Sequence, residues 1–384
     1  MELLSEDVLP EEAVELKRRA REFAADHVKP NAADYFASCE YPMDIVEAAR
    51  NEDLVVHEIS PKYGGKGRSL AEVVAVLEEF FKADAGLGLA LGGQAFGTPI
   101  LEEFGTEAQK ETFLRPVAEY DAISGMAVSE PDTGSDLTGM QTTAERDGDE
   151  WVLDGEKYWI GNGVHADWIT VYARTGDGKD RHGNHSLIVV PTDTPGYTAE
   201  RIPEKMGMRA SEQTHITFDD CRVPAANLIG EEGDGFRMLA EFFNHGRARV
   251  AAHGVGLAAA AIEEAWSFVH DREEFGQSVS DFQSVQHDLA DMRTEFESAR
   301  SLLWRTVNRM RAGEDAELWA SMAKLKATET ATECAETGIG LHGGWGVLDE
   351  SRIARVYRDA RHPVVYEGVN PIQRDIVYAN YESR

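Results

Sequence analysis

Hydrophobic and polar positions follow a helical period in the first part of the chain. Apolar residues recur every three or four positions along residues 13–24 and 73–81, which is the spacing of an amphipathic helix. Ser69 stands just before the second stripe, and Thr106 with Gln109 has the spacing of a capping box, so both positions predict helix starts. These signals predict a helical region that extends to about residue 120.

Between residue 121 and about residue 230 the pattern changes to short runs rich in β-branched and aromatic residues. Four such runs are residues 151–153, 169–172, 187–190 and 214–218. Turn dipeptides lie between the runs, among them Asp147-Gly148 and Asp154-Gly155. Runs of this length and composition are typical of strands, and they predict an antiparallel β unit.

The helical period returns after Gly235 and persists over residues 236–272, 282–311 and 316–337. Long helices in series predict a bundle, and the order helical, β, helical differs from alternating βαβ units. We therefore predict an α+β multidomain protein. Its domains would be an N-terminal α-helical domain at 1–120, a central antiparallel β domain at 121–232 and a C-terminal helical bundle domain at 233–384.

Acidic residues outnumber basic residues by 69 to 38, which gives a formal net charge of −31. Such a surface repels phosphate backbones, so we expect no nucleic acid partner. Only 11 of the 38 basic residues are Lys. Because dense carboxylates repel one another unless salt screens them, we hypothesise a halophilic protein that works in a cytoplasm of high ionic strength. A melting temperature that stays flat or falls between low and molar KCl would contradict this hypothesis.

The sequence favours a cytoplasmic protein without membrane insertion. The first 12 residues carry five acids instead of the basic region of a signal peptide, and the apolar stretch 86–97 is too short to span a bilayer. Cys39, Cys221 and Cys334 are widely spaced and form no C-x-x-C motif. This pattern favours a reducing compartment over a disulfide scaffold or a zinc cluster.

Two glycine strings and two histidines have simple structural explanations. Residues 338–343 match G-x-G-x-x-G and residues 254–259 match its variant with a final Ala, but neither follows a predicted strand, as a dinucleotide fingerprint requires. His182 and His185 lie in a polar stretch rich in Gly and Asn. Because no further ligand stands at metal spacing, we predict solvated loop histidines and no metal site.

Residues 126–136, M-A-V-S-E-P-D-T-G-S-D, predict a strand that runs into a polar turn. Gly134 tolerates unusual dihedral angles, and Ser129 and Ser135 offer donors suited to a polar ring or a phosphate. Further on, Trp159 lies on a predicted strand beside the turn that starts at Gly161. It is either a core tryptophan or an indole presented at a flexible turn.

The C-terminal string contains glycines and one isolated acid. Gly343, Gly344 and Gly346 permit close backbone approach to a ligand. Glu367 follows the apolar residues 363–366. It is either an exposed turn carboxylate or a carboxylate in an apolar pocket, where a raised pKa would suit the removal of a carbon-bound proton.

Together these strings resemble the acyl-CoA dehydrogenase family over nearly the whole chain. Residues 128–136 resemble its V-[ST]-E-P-x-x-G-S-D signature, and residues 343–346 resemble its G-G-x-G segment, which R-D at 358–359 and Y-E-G at 366–368 follow at the family's distance. The resemblance implies a C-terminal four-helix bundle, a homotetramer, and FAD bound between domains and reaching into a neighbouring subunit.

The resemblance also implies a set of site residues. Those near the flavin ring are Met126, Ala127, Val128, Ser129, Trp159, Ile160, Gly161 and Val369. Those near its adenosine or pyrophosphate part are Arg272, Phe275 and Gln283 of the partner chain with Gly340, Gly343 and Gly344. Those that hold the acyl-CoA are Ser135, Ser211, Asn244, Arg247, Tyr366 and Gly368.

By the same resemblance, Glu367 is the catalytic base. A minority of the family places the base on the long helix, where this chain has Gly246, and glycine cannot serve. The implied reaction is the α,β-dehydrogenation of an acyl-CoA thioester to a 2-enoyl-CoA. Glu367 removes the α-proton, oriented donors that include its own backbone N–H stabilise the thioester oxygen, and hydride passes to the flavin. The electrons would then pass to an electron-transfer flavoprotein.

Four residues depart from the family pattern on the flavin side. Gly161 replaces the Ser or Thr near flavin N5, Gly340 replaces Gln, and Val369 replaces Thr. Glu274 would repel a pyrophosphate unless it turns outward or Arg272 offsets it. Two alternatives therefore stay open: a non-catalytic acyl-CoA-binding paralogue, and a flavin oxidase or monooxygenase on the same scaffold.

Overall fold

The N-terminal region of the computed structural model, which describes residues 3–176, 182–202 and 205–382, is helical as predicted. Its helices are α1 (Glu11–Phe23), α2 (Ala32–Ser38), α3 (Met43–Asn51), α4 (Leu70–Ala83), α5 (Ala85–Gly92), α6 (Thr98–Phe104), α7 (Glu107–Gln109) and α8 (Arg115–Ala118). Both predicted caps are confirmed, since Ser69 accepts from the N–H of Glu72 and Thr106 accepts from the N–H of Gln109, and each forms a capping box. Helix α4 is buried on nearly all of its faces.

A mostly antiparallel sheet forms the middle of the chain. Its strands are β1 (Ser124–Ala127), β2 (Thr143–Asp147), β3 (Glu150–Ile160), β4 (Trp168–Arg174), β5 (His185–Pro191), β6 (Tyr197–Arg201), β7 (Thr214–Pro224) and β8 (Leu228–Ile229). They lie in the order β6-β7-β3-β2-β4-β5-β8, and β1 runs parallel to β4. The four predicted runs are confirmed as parts of β3, β4, β5 and β7.

The C-terminal region contains the long helices that the sequence predicts. They are α9 (Gly235–Asp271), α10 (Gln283–Arg311) and α11 (Glu317–His342), with the shorter α12 (Arg352–Ala360) and α13 (Asn370–Glu382) and a hairpin of β9 (Glu273–Glu274) and β10 (Gln277–Ser278). Helix α11 runs past the predicted end at residue 337. Ile353 of α12 packs directly on Gly338, where a Cβ would lie 2.7 Å from the Ile353 side chain. This contact stabilises the helix at a glycine that would otherwise favour its end.

Two glycines of α9 explain how the N-terminal helices and the bundle share one core. A Cβ at Gly254 would lie 2.6 Å from the backbone of Ala327 in α11, and a Cβ at Gly256 would lie 2.8 Å from the carbonyl oxygen of Glu78 in α4. Helix α9 therefore packs against both helices at backbone distance. The G-x-G spacing at 254–256 is a helix-packing feature, as the sequence context predicted.

The prediction that His185 is a solvated loop residue is wrong. His185 begins β5, is 1% exposed, and stacks on Tyr172 with ring centroids 4.7 Å apart. The strand thus begins two residues before the run 187–190 that composition indicated. Across the described ranges, none of the helices has the continuous apolar length of a membrane span. In the same ranges, no three His, Cys, Asp or Glu side chains are grouped so that they could hold a metal ion.

Candidate active site

Glu367 lies in the turn between α12 and α13, in a backbone conformation that few residues adopt. Its φ is 53°, and φ of the next residue, Gly368, is 81°. Left-handed backbone at a non-glycine residue is uncommon and persists where the surroundings fix it. The Gln373 side-chain amide donates to the carbonyl oxygen of Gly368 at 2.9 Å, which ties the turn to the first part of α13.

The Glu367 carboxylate is directed at α9 and lacks a hydrogen-bond partner. Its Oε2 is buried and unpaired among the atoms that the structure describes. A Cβ at Gly246 would lie only 2.6 Å from this oxygen, so the carboxylate occupies space that a side chain at this position of α9 would fill. The prediction of an exposed turn carboxylate is therefore wrong. The buried Oε2 agrees with the pocket alternative, although cationic side chains also act on this carboxylate and the pocket is not purely apolar.

Burial raises the pKa of Glu367 to about 7, against the opposing influence of Arg247, Arg249 and Lys324. A carboxylate with a pKa near the working pH combines enough basicity to take a proton with a substantial ionised fraction. The backbone N–H of Glu367 also has no acceptor within the described part of the chain. One residue thus offers a base and, beside it, a free donor for a developing oxyanion.

Helix α9 places a row of polar side chains along this turn. Arg247 is buried and donates to the Asn244 side-chain oxygen at 2.7 Å, and burial lowers the pKa of its guanidinium. Two helical turns beyond Gly246, His253 stacks on Phe81 of α4, with ring centroids 3.7 Å apart and an angle of 3° between the planes. Its Nδ1 lies 3.0 Å from the Tyr366 hydroxyl. Burial lowers the pKa of His253 to about 3, so the imidazole is neutral at neutral pH.

The β domain presents a second group of predicted residues. Met126 and Ala127 are buried in β1, so only their backbone can meet a ligand. The carbonyl of Val128 accepts from the Lys157 ammonium at 2.8 Å, and that of Ser129 accepts from the N–H of Tyr158 at 2.8 Å. These bonds fix the turn after β1 against β3.

Trp159 stands near the end of β3 with φ of 66° and is 58% exposed. Its prediction as a core tryptophan is therefore wrong, and the indole is presented at the surface beside Gly161. Ile160 between them is buried. A Cβ at Gly161 would meet only the Gln213 side-chain nitrogen, at 3.8 Å, so the missing hydroxyl of the family pattern leaves open space there.

The predicted acyl-CoA residues are only partly brought together. Tyr366 and Gly368 flank Glu367, and Arg247 with Asn244 lies on the facing turn of α9. Ser135 is exposed in the turn after β1. Ser211 is 3% exposed and its hydroxyl donates to the carbonyl of Met208 at 2.8 Å, so this side chain stabilises its own turn.

The third group of predicted residues lines a groove of about 580 Å³ at the C-terminal end of α11. Its lining residues are Phe268, Arg272, Glu274, Val279, Gly340, Leu341, His342, Gly343, Gly344, Trp345 and Leu348. A Cβ at Gly340, Gly343 or Gly344 would meet nothing within 4 Å, so this wall presents bare backbone. Such a wall beside a guanidinium fits the planar base and phosphates of a dinucleotide.

The hairpin beside the groove carries the remaining cofactor candidates. Phe275 at its tip is 95% exposed, and Gln283 is exposed at the start of α10. The Arg272 guanidinium forms an ion pair with Glu274. Arg272 therefore offsets the charge of Glu274, as the sequence required. The ion pair, however, occupies the guanidinium of Arg272, which is the one Arg or Lys that lines this groove among the described residues.

Sequence reasoning missed Lys324 and His253. Lys324 is fully buried beside the Glu367 turn, and its ammonium donates to the carbonyl of Gly368. A signal was available: Lys324 stands at helical spacing from Ala320, Ala327 and Ala331, and His253 stands at helical spacing from Val250, Gly256 and Leu257. A charged or polar residue inside a stripe of small residues indicates a buried polar contact.

Comparison with known proteins agrees with this arrangement. Family models of the acyl-CoA dehydrogenase N-terminal, middle and C-terminal domains match residues 10–121, 125–221 and 233–381. The probable acyl-CoA dehydrogenase YngJ of Bacillus subtilis is 36% identical over 370 residues, which cover 96% of this chain and 97% of that protein.

Two solved structures show the same fold over 97% of this chain. Butyryl-CoA dehydrogenase from Megasphaera elsdenii superimposes with a TM-score of 0.93 and 30% identity, covering 97% of this chain and 99% of that one. A chain in the structure of the electron transferring flavoprotein of Acidaminococcus fermentans, which addresses flavin-based electron bifurcation, gives a TM-score of 0.93 and 31% identity over 97% and 98% of the two chains.

Proposed function

The chain belongs to the acyl-CoA dehydrogenase family, whose members use FAD, and from that premise we propose that it oxidises short-chain acyl-CoA thioesters to 2-enoyl-CoA with Glu367 as the base. The observation that carries the proposal is the buried, unpaired Glu367 carboxylate opposite Gly246. An electron-transfer flavoprotein is the proposed acceptor, which the likeness to a chain in such a structure supports.

Each group of the Glu367 turn has a defined part in the proposed reaction. The carboxylate takes the α-proton, and the free N–H of Glu367 donates to the thioester oxygen as charge develops there. The FAD, when bound, supplies the acceptor for the hydride that leaves the β-carbon. The left-handed turn fixes the carboxylate and the N–H of the same residue. In the proposed reaction, they therefore meet the α-proton and the neighbouring thioester oxygen of one bound substrate without rearrangement.

The short-chain preference rests on the side chains beyond this turn. The stacked rings of His253 and Phe81, with the Tyr366 hydroxyl bonded to His253, join α4, α9 and the Glu367 turn. In the proposed binding mode, this cluster limits the length of the acyl chain that passes Glu367. The likeness to a butyryl-CoA dehydrogenase supports the same assignment.

The residues predicted to bind the flavin ring and those predicted to bind its adenosine end lie in two separate places on this chain. This separation supports a homo-oligomer, and we propose a homotetramer. Lys324 contacts the Glu367 turn, whereas Gly340 lines the groove 16 residues further along α11, which is about 24 Å at 1.5 Å per residue. In the proposed arrangement, Trp159 and the backbone of Val128 and Ser129 meet the flavin of their own chain. Arg272, Phe275, Gln283, Gly343 and Gly344 meet the adenosine end of the flavin of a second copy.

Replacing Glu274 by Gln is expected to strengthen FAD retention. The change frees Arg272 from its ion pair and removes an acid that would face the pyrophosphate. Because exposed pairs contribute about 0.2–1 kcal/mol, the Kd for FAD should fall about 1.4- to fivefold. The measurement is quenching of flavin fluorescence on titration of apoprotein.

A matched control is Glu273→Gln, which removes the same charge from the neighbouring position of the β9 strand. Because successive strand residues point to opposite faces, this variant should leave the Kd unchanged. Equal effects of the two substitutions would show that general charge, and not the Arg272 pair, governs retention.

The test of the proposed function is the visible spectrum of the purified protein under anaerobic conditions, before and after addition of acyl-CoAs. A panel of butyryl-, octanoyl-, palmitoyl- and isovaleryl-CoA should bleach the flavin fastest with butyryl-CoA. Fastest bleaching with a long or branched chain would contradict the short-chain assignment. A colourless protein that cannot be reconstituted would indicate the acyl-CoA-binding paralogue, and rapid peroxide production in air would indicate an oxidase.

A further inference from the structure

The turn that carries Glu367 requires an external restraint. Glu367 and Gly368 are both left-handed, with φ of 53° and 81°, and a non-glycine residue seldom holds that conformation unaided. The turn is also partly open to solvent, since Val365 is 60% exposed. The position of the carboxylate therefore depends on whatever is bonded to the backbone of this turn.

Lys324 of α11 provides such a bond from the protein interior. Its ammonium donates to the carbonyl of Gly368 at 2.8 Å and to the Asn370 side-chain oxygen at 2.8 Å. Asn370 in turn donates to the Thr328 hydroxyl at 3.1 Å, one turn further along α11. The C-terminal end of the turn is thus bonded to α11 as well as to α13.

The bonding of Lys324 differs from that of the other fully buried lysines among the described residues. Lys17 is paired with Glu78 at 2.6 Å and Lys157 with Glu130 at 2.9 Å. The acceptors of Lys324 are neutral, a carbonyl and an amide oxygen. Because no acid is paired with this buried ammonium, its positive charge still attracts the nearest carboxylate. One of its acceptors, Gly368, directly follows Glu367 in the chain.

We propose that Lys324 is a positioning residue of the base: together with the Gln373 amide, its hydrogen bonds hold the Glu367–Gly368 turn in its left-handed form, and its charge favours the ionised carboxylate. This inference rests on the proposed function, because it assigns Lys324 a part in the same proton transfer. Two roles in one side chain distinguish it from a lysine that only stabilises the fold.

The charges around the carboxylate agree with this assignment. Burial raises the pKa of Glu367 to about 7, while Arg247 and Arg249 on α9 and Lys324 on α11 oppose that rise. Burial lowers the pKa of Lys324 to about 7, while Glu367 and Glu329 raise it and Arg247 lowers it further. Tyr366, beside Glu367, keeps its proton because burial raises the pKa of its hydroxyl well above the ordinary value. Removal of the Lys324 charge should therefore move the ionisation of Glu367 to higher pH.

The test uses the FAD-loaded enzyme with butyryl-CoA and the variants Lys324→Met, Lys324→Gln and Lys324→Arg. In the Met variant, kcat should fall about 10- to 100-fold while KM changes less than about threefold, since a displaced base affects chemistry more than binding. The midpoint of the acidic limb of kcat against pH should rise by about one unit in both the Met and the Gln variant, since a lost opposite charge has that effect. The Lys324→Arg variant keeps the positive charge, so its midpoint should lie close to that of the wild type.

The matched control is Lys326→Met, which removes a lysine from the same helix where it pairs with Glu295 at the surface. This variant should keep the wild-type midpoint. If the Met variant does not fold, the Gln variant, which keeps a donor without the charge, carries the test. An unchanged midpoint in the Gln variant overturns the proposal. A lower FAD content or a lower melting temperature without a shift of the midpoint also overturns it, because Lys324 would then only stabilise the fold.

A readout that does not need turnover separates this proposal from the proposed function. The carbonyl stretch of protonated Glu367, identified in infrared difference spectra by its absence from Glu367→Gln, reports the ionisation of this carboxylate in any variant. If no acyl-CoA bleaches the wild-type flavin, the proposed function fails. The infrared midpoint then still decides the Lys324 proposal, which a shift in Lys324→Gln supports and the wild-type midpoint refutes.

Discussion

Glu367→Gln should reduce kcat at least ~100-fold, the lower end of what a positioned general base contributes, while the purified protein stays yellow. Gln has nearly the shape of Glu, so the side chain still fits the space opposite Gly246, where a Cβ would lie 2.6 Å from Oε2. The amide cannot accept the α-proton. The measurement is steady-state turnover with butyryl-CoA and an artificial acceptor, with FAD content from the absorbance near 450 nm.

Glu350→Gln is a suitable control because it removes an exposed acid from the turn before α12 and should leave turnover unchanged. Near-normal rates for Glu367→Gln would refute the base assignment. Loss of colour in this variant would instead assign Glu367 to flavin binding. The two readouts together therefore separate chemistry from cofactor retention.

The same carboxylate fixes the expected pH dependence. Because the base must be ionised and the pKa of Glu367 is about 7, wild-type kcat should rise as pH increases through that value. The effect on stability has the opposite direction. The folded-state pKa lies above the ordinary value of 4.5, so the folded state binds the proton more tightly. That stabilisation is complete below 4.5 and is lost as pH rises through about 7.

The sequence predicted those features whose causes are local. The caps at Ser69 and Thr106 depend on residues three positions apart, and the long helices depend on a period that each segment carries in itself. The apolar neighbours of Glu367 are adjacent in the chain and single it out, whereas its assignment as the base follows from the family resemblance. What the sequence left open in each case was the exposure of the side chain, because exposure depends on distant segments.

The missed features all depend on packing between distant elements. Lys324 meets the turn at Gly368, 44 residues away, and His253 is stacked by Phe81 from a different domain of the sequence. Trp159 could not be assigned from its strand, because its exposure follows from a left-handed backbone at that residue. The end of α11 was predicted too early because Gly338, a helix breaker by propensity, is where Ile353 packs.

One buried ionic cluster around Glu78 joins the N-terminal helices to α10. The carboxylate lies 2.6 Å from the ammonium of Lys17 in α1 and 3.2 Å from the Arg300 guanidinium in α10, and it accepts from the Trp304 indole at 3.0 Å. Lys17 and Arg300 outweigh the effect of burial and hold the pKa of Glu78 below its ordinary value. Glu78 lies one helical turn before Phe81, so this cluster fixes the segment of α4 that stacks on His253.

Glu78→Gln should therefore lower the free energy of unfolding by about 3–5 kcal/mol, the typical result when one partner of a buried ion pair is removed and opposite charges are left uncompensated. Urea denaturation followed by circular dichroism measures the change. Glu15→Gln provides the control, because its pair with Arg18 is exposed and its loss should change the free energy by less than about 0.5 kcal/mol. Equal losses in the two variants would show that α4 is held by its apolar faces alone. A larger loss in Glu78→Gln, together with slower turnover of butyryl-CoA, would show that the cluster also sets the position of Phe81.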